Sequence, residues 1–267
     1  MRIFHRKPHS EVRSPLRYFF SRRPSISREA LPVLDALPAP SPALFWTFAV
    51  LPGLVSAAFV WAVGRTSGPG VARRAFFGLL LWSIATAALS VSGFLDAWSP
   101  PRMLLLFVGM LAFLAWAARQ PWTQRLGDLP LRLLVGFQAF RIAVEFALHE
   151  AVEQGIAPPT LTWTGTNWDM VPGVTALLLI PFVERLDRRT LQAWNLTMAS
   201  VLVVTVATSL LAAPTPFRLI QGDPANVFIA GFPFVWLPMI LVPSAWLGHI
   251  VLYRRLRRPP ERESAQR

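Results

Sequence analysis

The chain predicts an all-α fold, a polytopic membrane bundle of seven transmembrane helices, and three observations predict it. Of its 267 residues, 54% are hydrophobic and only 15% are charged, where an ordinary soluble domain carries about 25% charged residues. The charges are unevenly spread, so that long runs carry almost none. Such apolar runs recur seven times, several near the roughly 20 helical residues that a hydrocarbon core of about 30 Å requires. Together these exclude a disordered protein, a soluble enzyme and a disulfide-stapled secreted module.

Residues 1–42 are polar, Arg-rich and Pro-rich without a helical period, which predicts a disordered extension. Their positive region is too long for a secretory signal peptide, and no small-residue cleavage site follows a short apolar core. The transmembrane domain is expected over residues 43–253 and a basic cytoplasmic tail over 254–267. Within the domain, segment one is Ala43–Val63, segment two Ala75–Leu95 and segment three Met103–Ala118, which follows Pro100-Pro101. Segment four, Leu131–His149, is the least apolar. Segment five, Met170–Val183, is the shortest and is bracketed by Pro172-Gly173 and Pro181, which suits a re-entrant stretch. Segment six is Trp194–Ala212. Segment seven, Val227–Tyr253, contains Pro233, Pro238 and Pro243.

Charge sets the expected orientation. Loops 64–74, 119–132, 184–193 and the stretch 254–267 hold 15 Lys and Arg, whereas loops 96–102, 150–169 and 213–226 hold 2. This bias places the C-terminus in the cytoplasm. Seven spans then put residues 1–42, with their eight basic residues, on the far side. Three arrangements reconcile that: translation starting near Val33, translocation of the extension, or a re-entrant segment five that leaves six spans. The pI of about 11.7 is explained by topology-setting arginines rather than by nucleic-acid binding.

The most informative stretch is segment four. Gln138, Arg141, Glu145 and His149 fall within an arc of about 80° on a helix otherwise made of Phe, Leu, Ile, Val and Ala. A charge at the depth of Arg141 costs at least ~2.5–3.5 kcal/mol, so the stripe is expected to face the bundle with Arg141 paired. Glu145, one turn away, is the nearest partner. Basic-before-acidic is the weaker i,i+4 order, so Arg141 is also expected to reach a group on another helix. The stripe reads as a polar pocket or ion path, or more plainly as an ion pair that locks helix packing. Glu145 and His149 share metal-ligand spacing, but two ligands are no site, and no metal is expected; His149 is expected to titrate at the outer surface.

The loop before segment five ends in Asn167-Trp168-Asp169. Asn167 suits an N-cap and Asp169 a first turn; alternatively both dip towards the stripe. Trp163 and Trp168 suit interfacial anchors. In segment seven each proline frees a carbonyl four residues earlier, at Ile229, Phe234 and Met239, available to a cation or simply the mark of a kinked packing helix. Asn195 and His249 form a secondary pair near the cytoplasmic side. Haem is not expected, because His149 and His249 sit near opposite faces. The chain has no Cys, which excludes disulfides, iron–sulfur clusters and thiol catalysis. There is no phosphate-binding Gly-rich loop, no Gly-x-Ser-x-Gly elbow and no His-Glu-x-x-His, so no cofactor is expected.

The layout from Ala43 to Tyr253 resembles a family of uncharacterised seven-helix bacterial inner-membrane proteins. The residues that carry the resemblance are Phe140-Arg141 with Val144-Glu145, Thr162 through Asp169, Trp194-Asn195, and Pro214-Thr-Pro216-Phe217. Further matches are Asn226, Phe232 through Pro238, and Val242-Pro243 through His249. The chain departs from that pattern at Trp163, Trp168, Arg218 and Pro224-Ala225. The resemblance implies a bacterial inner-membrane location and a start just before segment one; it implies no activity.

Three functions compete. One is transport or permeation of a small ion or polar solute through an outward-facing pocket of Gln138, Arg141, Glu145, His149, Asn167 and Asp169. Another is an intramembrane enzyme acting on a lipid-linked substrate with Glu145, His149 or Asp169 as acid or base. The last is a structural or assembly subunit. The expected partners are the lipid bilayer and such a solute.

Overall fold

The computed structural model describes Leu34, residues 37–96 and residues 101–258. The expectations for most of residues 1–42, including a start near Val33, and for the end of the tail lie outside the described residues. Among the described residues the chain is helical and has no strand.

Helix α1 spans Pro42–Ser67 and α2 spans Pro69–Val91, so Gly68 alone joins them. Its φ of 86° lies where a side chain is strained, and Pro69 is pre-set for the first helical position. The expected loop 64–74 is therefore mostly helix, because apolarity marks the membrane core and not the helix ends. Ser41 caps α1, with Oγ accepting the Leu44 N–H at 3.3 Å. The Ser41 N–H donates to Gln154 Oε1, and Gln154 Nε2 donates to Ser41 Oγ, both at 2.8 Å. The entry into α1 is thus held at Ser41.

Helix α3 spans Arg102–Ala118 and buries Met103, Phe107, Met110, Leu114 and Ala117, spaced alternately four and three apart. A short α4, Pro121–Leu126, follows. Segment four is divided: α5 spans Leu131–Gly136, a 3-10 turn covers Phe137–Ala139, and α6 runs Phe140–Glu153. Helix α7, Met170–Leu179, is about 15 Å long, half the hydrocarbon thickness. Gly173 is the reason α7 packs so closely on segment four. A Cβ there would lie 2.7 Å from Ile142 Cγ1 and 3.1 Å from the Ile142 nitrogen. Helix α8 spans Arg188–Ala212.

Segment seven differs most from expectation. Residues 228–230 form a 3-10 turn, Leu237–Leu241 a π-helical turn, and α9 runs Val242–Leu256. The apolar helical stretch is therefore Leu237–Leu256 rather than 227–253, and Pro233 precedes it. The carbonyl freed by Pro243 is not open to a cation: Met239 O accepts the Trp82 indole N–H at 3.0 Å. Trp236 in turn donates to Ser83 O at 3.1 Å. These bonds favour the packing-helix reading over the ion-path reading there.

Four helical stretches are long and apolar enough to cross a membrane: α1, α2, α8 and Leu237–Leu256. Helices α3 and α7 are apolar but shorter. Outward-facing residues are large and apolar, with Leu81 69% and Phe113 63% exposed, the reverse of a water-facing surface. The chain is a multi-pass helical membrane protein.

The loops sort into two ends. At one, Arg258 pairs with Asp128, Arg132 with Glu184 at 2.7 Å, and Gln192 Nε2 bonds Leu256 O at 3.1 Å. Trp122 of α4 meets Phe59, on the Gly68 side of α1. At the other end, Ser41 meets Gln154, Pro38 lies beside Gly155, and Pro158 beside Gly222. The arginine-rich loops thus gather at one end of the bundle and the arginine-poor loops at the other.

Candidate functional site

The site is built where α6, α7, α8 and α9 meet. Gln138, Arg141 and Glu145 are 0%, 1% and 0% exposed, so three of the four stripe residues face inward as the helical spacing predicts. His149 does not follow them into the core. Its ring stacks on Trp163, centroids 4.4 Å apart, and it makes no bond to Glu145.

Arg141 is paired, but not with Glu145. Its Nε donates to Asp169 Oδ2 at 2.9 Å and its Nη2 to Asp169 Oδ1, a two-pronged grip on the carboxylate. The expected i,i+4 pair yields to the off-helix partner because a fork matches a carboxylate that approaches end-on. Asp169 holds the N-cap position of α7, yet its side chain makes no capping bond. The preceding residue pair explains this. Asn167 Oδ1 accepts the Asp169 N–H at 3.0 Å, which turns the chain and frees the carboxylate for Arg141. Asn167 Nδ2 donates to Glu145 Oε2 at 3.0 Å and to Leu161 O at 2.7 Å. Both loop residues therefore dip towards the stripe; neither caps α7 through its side chain.

His249 is also part of this set. Its Nε2 lies 3.2 Å from Arg141 Nη1 and its Nδ1 2.8 Å from Asn195 Oδ1. Asn195 Nδ2 donates to the His249 carbonyl at 3.1 Å, so Asn195 Oδ1 is the acceptor facing the ring. Guanidinium can only donate. The imidazole thus accepts at Nε2 and carries its proton on Nδ1. The expectation that His249 lies near the opposite face fails because the span was misplaced. Centred on 227–253, His249 would stand roughly 14 Å from mid-span; centred on Leu237–Leu256, it stands roughly 4 Å away. The Asn195–His249 pair exists, but it belongs to the central network.

Gln138 Nε2 donates to Ala245 O at 3.2 Å. Gly248 makes room for it, since a Cβ there would sit 2.6 Å from that nitrogen. Gln138 Oε1 and Glu145 Oε1 are buried without a hydrogen-bond partner. Asn226 is separate: its Nδ2 donates to Ser209 O and Oγ at 2.8 and 2.7 Å, which ties the loop after α8 back to that helix.

A cavity adjoins the network, with about 930 Å³ of atom-free space counting the part open to the surroundings. Its walls are chiefly apolar, from Met103 and Phe107 of α3, Leu148 of α6, Leu202 and Leu210 of α8, and Leu241. Arg141, Asn167, Asp169 and Thr205 are polar lining residues, and Ser209 and Thr215 continue the lining towards the arginine-poor end. Gln138, Glu145 and His149 do not line it.

Thr205 was not a candidate from sequence, yet its Oγ1 donates to Asn167 Oδ1 at 2.7 Å. A signal was present: Asn195, Met198, Leu202, Thr205 and Ser209 recur at three and four residues along one flank of α8. Among the described residues, no three His, Cys, Asp or Glu side chains group as a metal site. No protein-family model, curated protein or solved structure matches this chain.

Proposed function

We propose that this chain is a seven-span protein of the bacterial inner membrane, with its arginine-rich end and C-terminus in the cytoplasm. Its cavity opens to the outside and takes up a small solute for transport or permeation. The family resemblance supports the location, and the 15-to-2 split of basic residues between the two loop sets supports the orientation. One observation carries the functional reading: both members of a buried ion pair, Arg141 and Asp169, line a cavity whose other walls are chiefly apolar. That lining suits a solute with an apolar body and one polar group better than a bare ion, which would need polar walls along its whole path.

The chain has no native Cys, so single cysteines report cleanly. Cysteines at 160 and 220 are expected to react with a membrane-impermeant maleimide from outside, and at 188 only from the cytoplasmic side. Labelling of 188 from outside reverses the orientation. Val206→Cys, in the cavity wall, is expected to react from the outside; if reagent reaches it from neither side, the cavity is no solute path. The mutual satisfaction of Arg141, Asp169, Asn167 and His249 favours a second reading, a network that only packs helices. A sealed Val206→Cys supports that one.

A further inference from the structure

We propose that the cavity selects a lipophilic cation, an ammonium- or phosphonium-class ligand with a bulky apolar body; this rests on the reading of the cavity as a solute site. The apolar walls set the body and the buried charges set the sign. Two charged side chains line the cavity, Arg141 and Asp169; Glu145 and His249 stand behind them in the same network, and His149 lies further out against Trp163. Arg141 is committed to Asp169 through two of its nitrogens, and those charges cancel. His249 contributes none, because it accepts from Arg141 and donates to Asn195. Glu145 is left as the carboxyl with no cation of its own. One of its oxygens is held by Asn167, and the other is buried with no partner.

A buried set with one surplus carboxyl must be balanced by one positive charge. A proton on Glu145 or the charge of a ligand can supply it, and the two are alternatives. Glu145 stands behind the lining, but Asn167, which donates to it, belongs to the lining, and a charge acts across that one residue of protein more strongly than it would through water. An anionic ligand would instead add a negative charge that nothing in the set balances, and it would have to break the Arg141–Asp169 grip to find a partner.

Tetraphenylphosphonium and tetraphenylborate, alike in size and shape and opposite in charge, test this. The full chain is reconstituted in phosphatidylcholine nanodiscs and binding is measured by equilibrium dialysis against empty discs. The expected result is phosphonium binding at least tenfold tighter than borate. Glu145→Gln is expected to abolish that preference and Glu145→Asp to retain it. Gln at this position keeps an oxygen for Asn167; should the variant still not fold, the wild-type preference and Glu145→Asp decide. Leu202→Trp, which fills the cavity, should remove binding of both probes. If borate binds as well or better, or if Glu145→Gln keeps the preference, the cation proposal is overturned while the cavity reading stands. If neither probe binds above empty discs, the cavity reading itself fails and the proposal falls with it.

Discussion

The α1–α2 hairpin and the α6–α9 assembly solve the same problem, polar groups inside a membrane, in opposite ways. Only 11% of the apolar window of α2 is buried, against 50% for Leu237–Leu256. Along α2 two of the hydroxyls are satisfied locally. Ser83 bonds Leu79 O at 2.8 Å and Thr86 bonds Trp82 O at 2.9 Å, so lipid can lie against most of its surface. Where the hairpin reaches across the bundle it meets backbone. Trp82 takes Met239 O, and Ser90 takes Ala230 O at 2.7 Å. The hairpin braces the irregular stretch 228–241, whose helix is broken by prolines. In the α6–α9 assembly, side chain meets side chain across long sequence separations. A brace tolerates change wherever lipid can substitute; a closed polar network does not.

The largest expected effect breaks the network. Asp169→Ala leaves the Arg141 charge buried without a partner, and loss of one member of such a pair costs about 3–5 kcal/mol. Thermal unfolding in detergent should show Asp169→Ala and Arg141→Ala each far less stable than wild type, with the double variant recovering part of the loss. The coupling between Arg141 and Asp169 should exceed that between Arg141 and Glu145. Equal couplings would mean that the sequence-adjacent pair matters as much as the observed one.

Next is the close packing of α7 on segment four. Gly173→Leu drives a side chain into Ile142, where even a Cβ meets the Ile142 backbone nitrogen at 3.1 Å. Overpacking of this kind costs about 1–3 kcal/mol, seen as a lower melting temperature. On the hairpin the contrast is direct. Leu81→Ala, 69% exposed, is expected to change stability by less than about 0.5 kcal/mol. Trp82→Phe strands the Met239 carbonyl and is expected to cost about 1 kcal/mol or more. If both hairpin variants are silent, the hairpin is no brace.

What was legible from sequence divides along the same line. The hairpin, α3 and α8 could be read from apolar runs, because a helix whose partner is lipid carries its whole explanation in its own residues. The inward flank of segment four was legible too, since Gln138, Arg141 and Glu145 stand out against Phe, Leu, Ile and Val. Partner identity was not. Arg141 has carboxylates at positions 145, 150, 153 and 169 to choose from, and only the Asn167 turn brings Asp169 into the fork. His249 was misplaced because Phe228–Trp236 is as apolar as a span but cannot continue a helix through Pro233 and Pro238. Thr205 was hidden because a lone threonine on an apolar helix usually bonds its own backbone, as Thr86 does.

The smallest effect concerns a group outside the membrane. Asp187 caps α8, its Oδ1 accepting the Thr190 N–H at 2.9 Å and its Oδ2 the Thr190 hydroxyl at 2.6 Å. The Thr190 hydroxyl and then its amide hold the Asp187 carboxyl below the usual carboxylate range. A carboxyl whose folded value is depressed stabilises the fold above its ordinary value near 3.9. That contribution fades as pH falls through the lower, folded value. Asp187 is fully exposed, so water screens most of the effect. Asp187→Ala should therefore lower the melting temperature slightly at neutral pH, and the gap to wild type should close as the buffer is taken below pH ~4. Asp187→Asn, which keeps the capping oxygen without the charge, should lie between the two at pH 7 and meet wild type in acid. A gap that persists unchanged into acid would place the effect in helix packing rather than in the ionised cap.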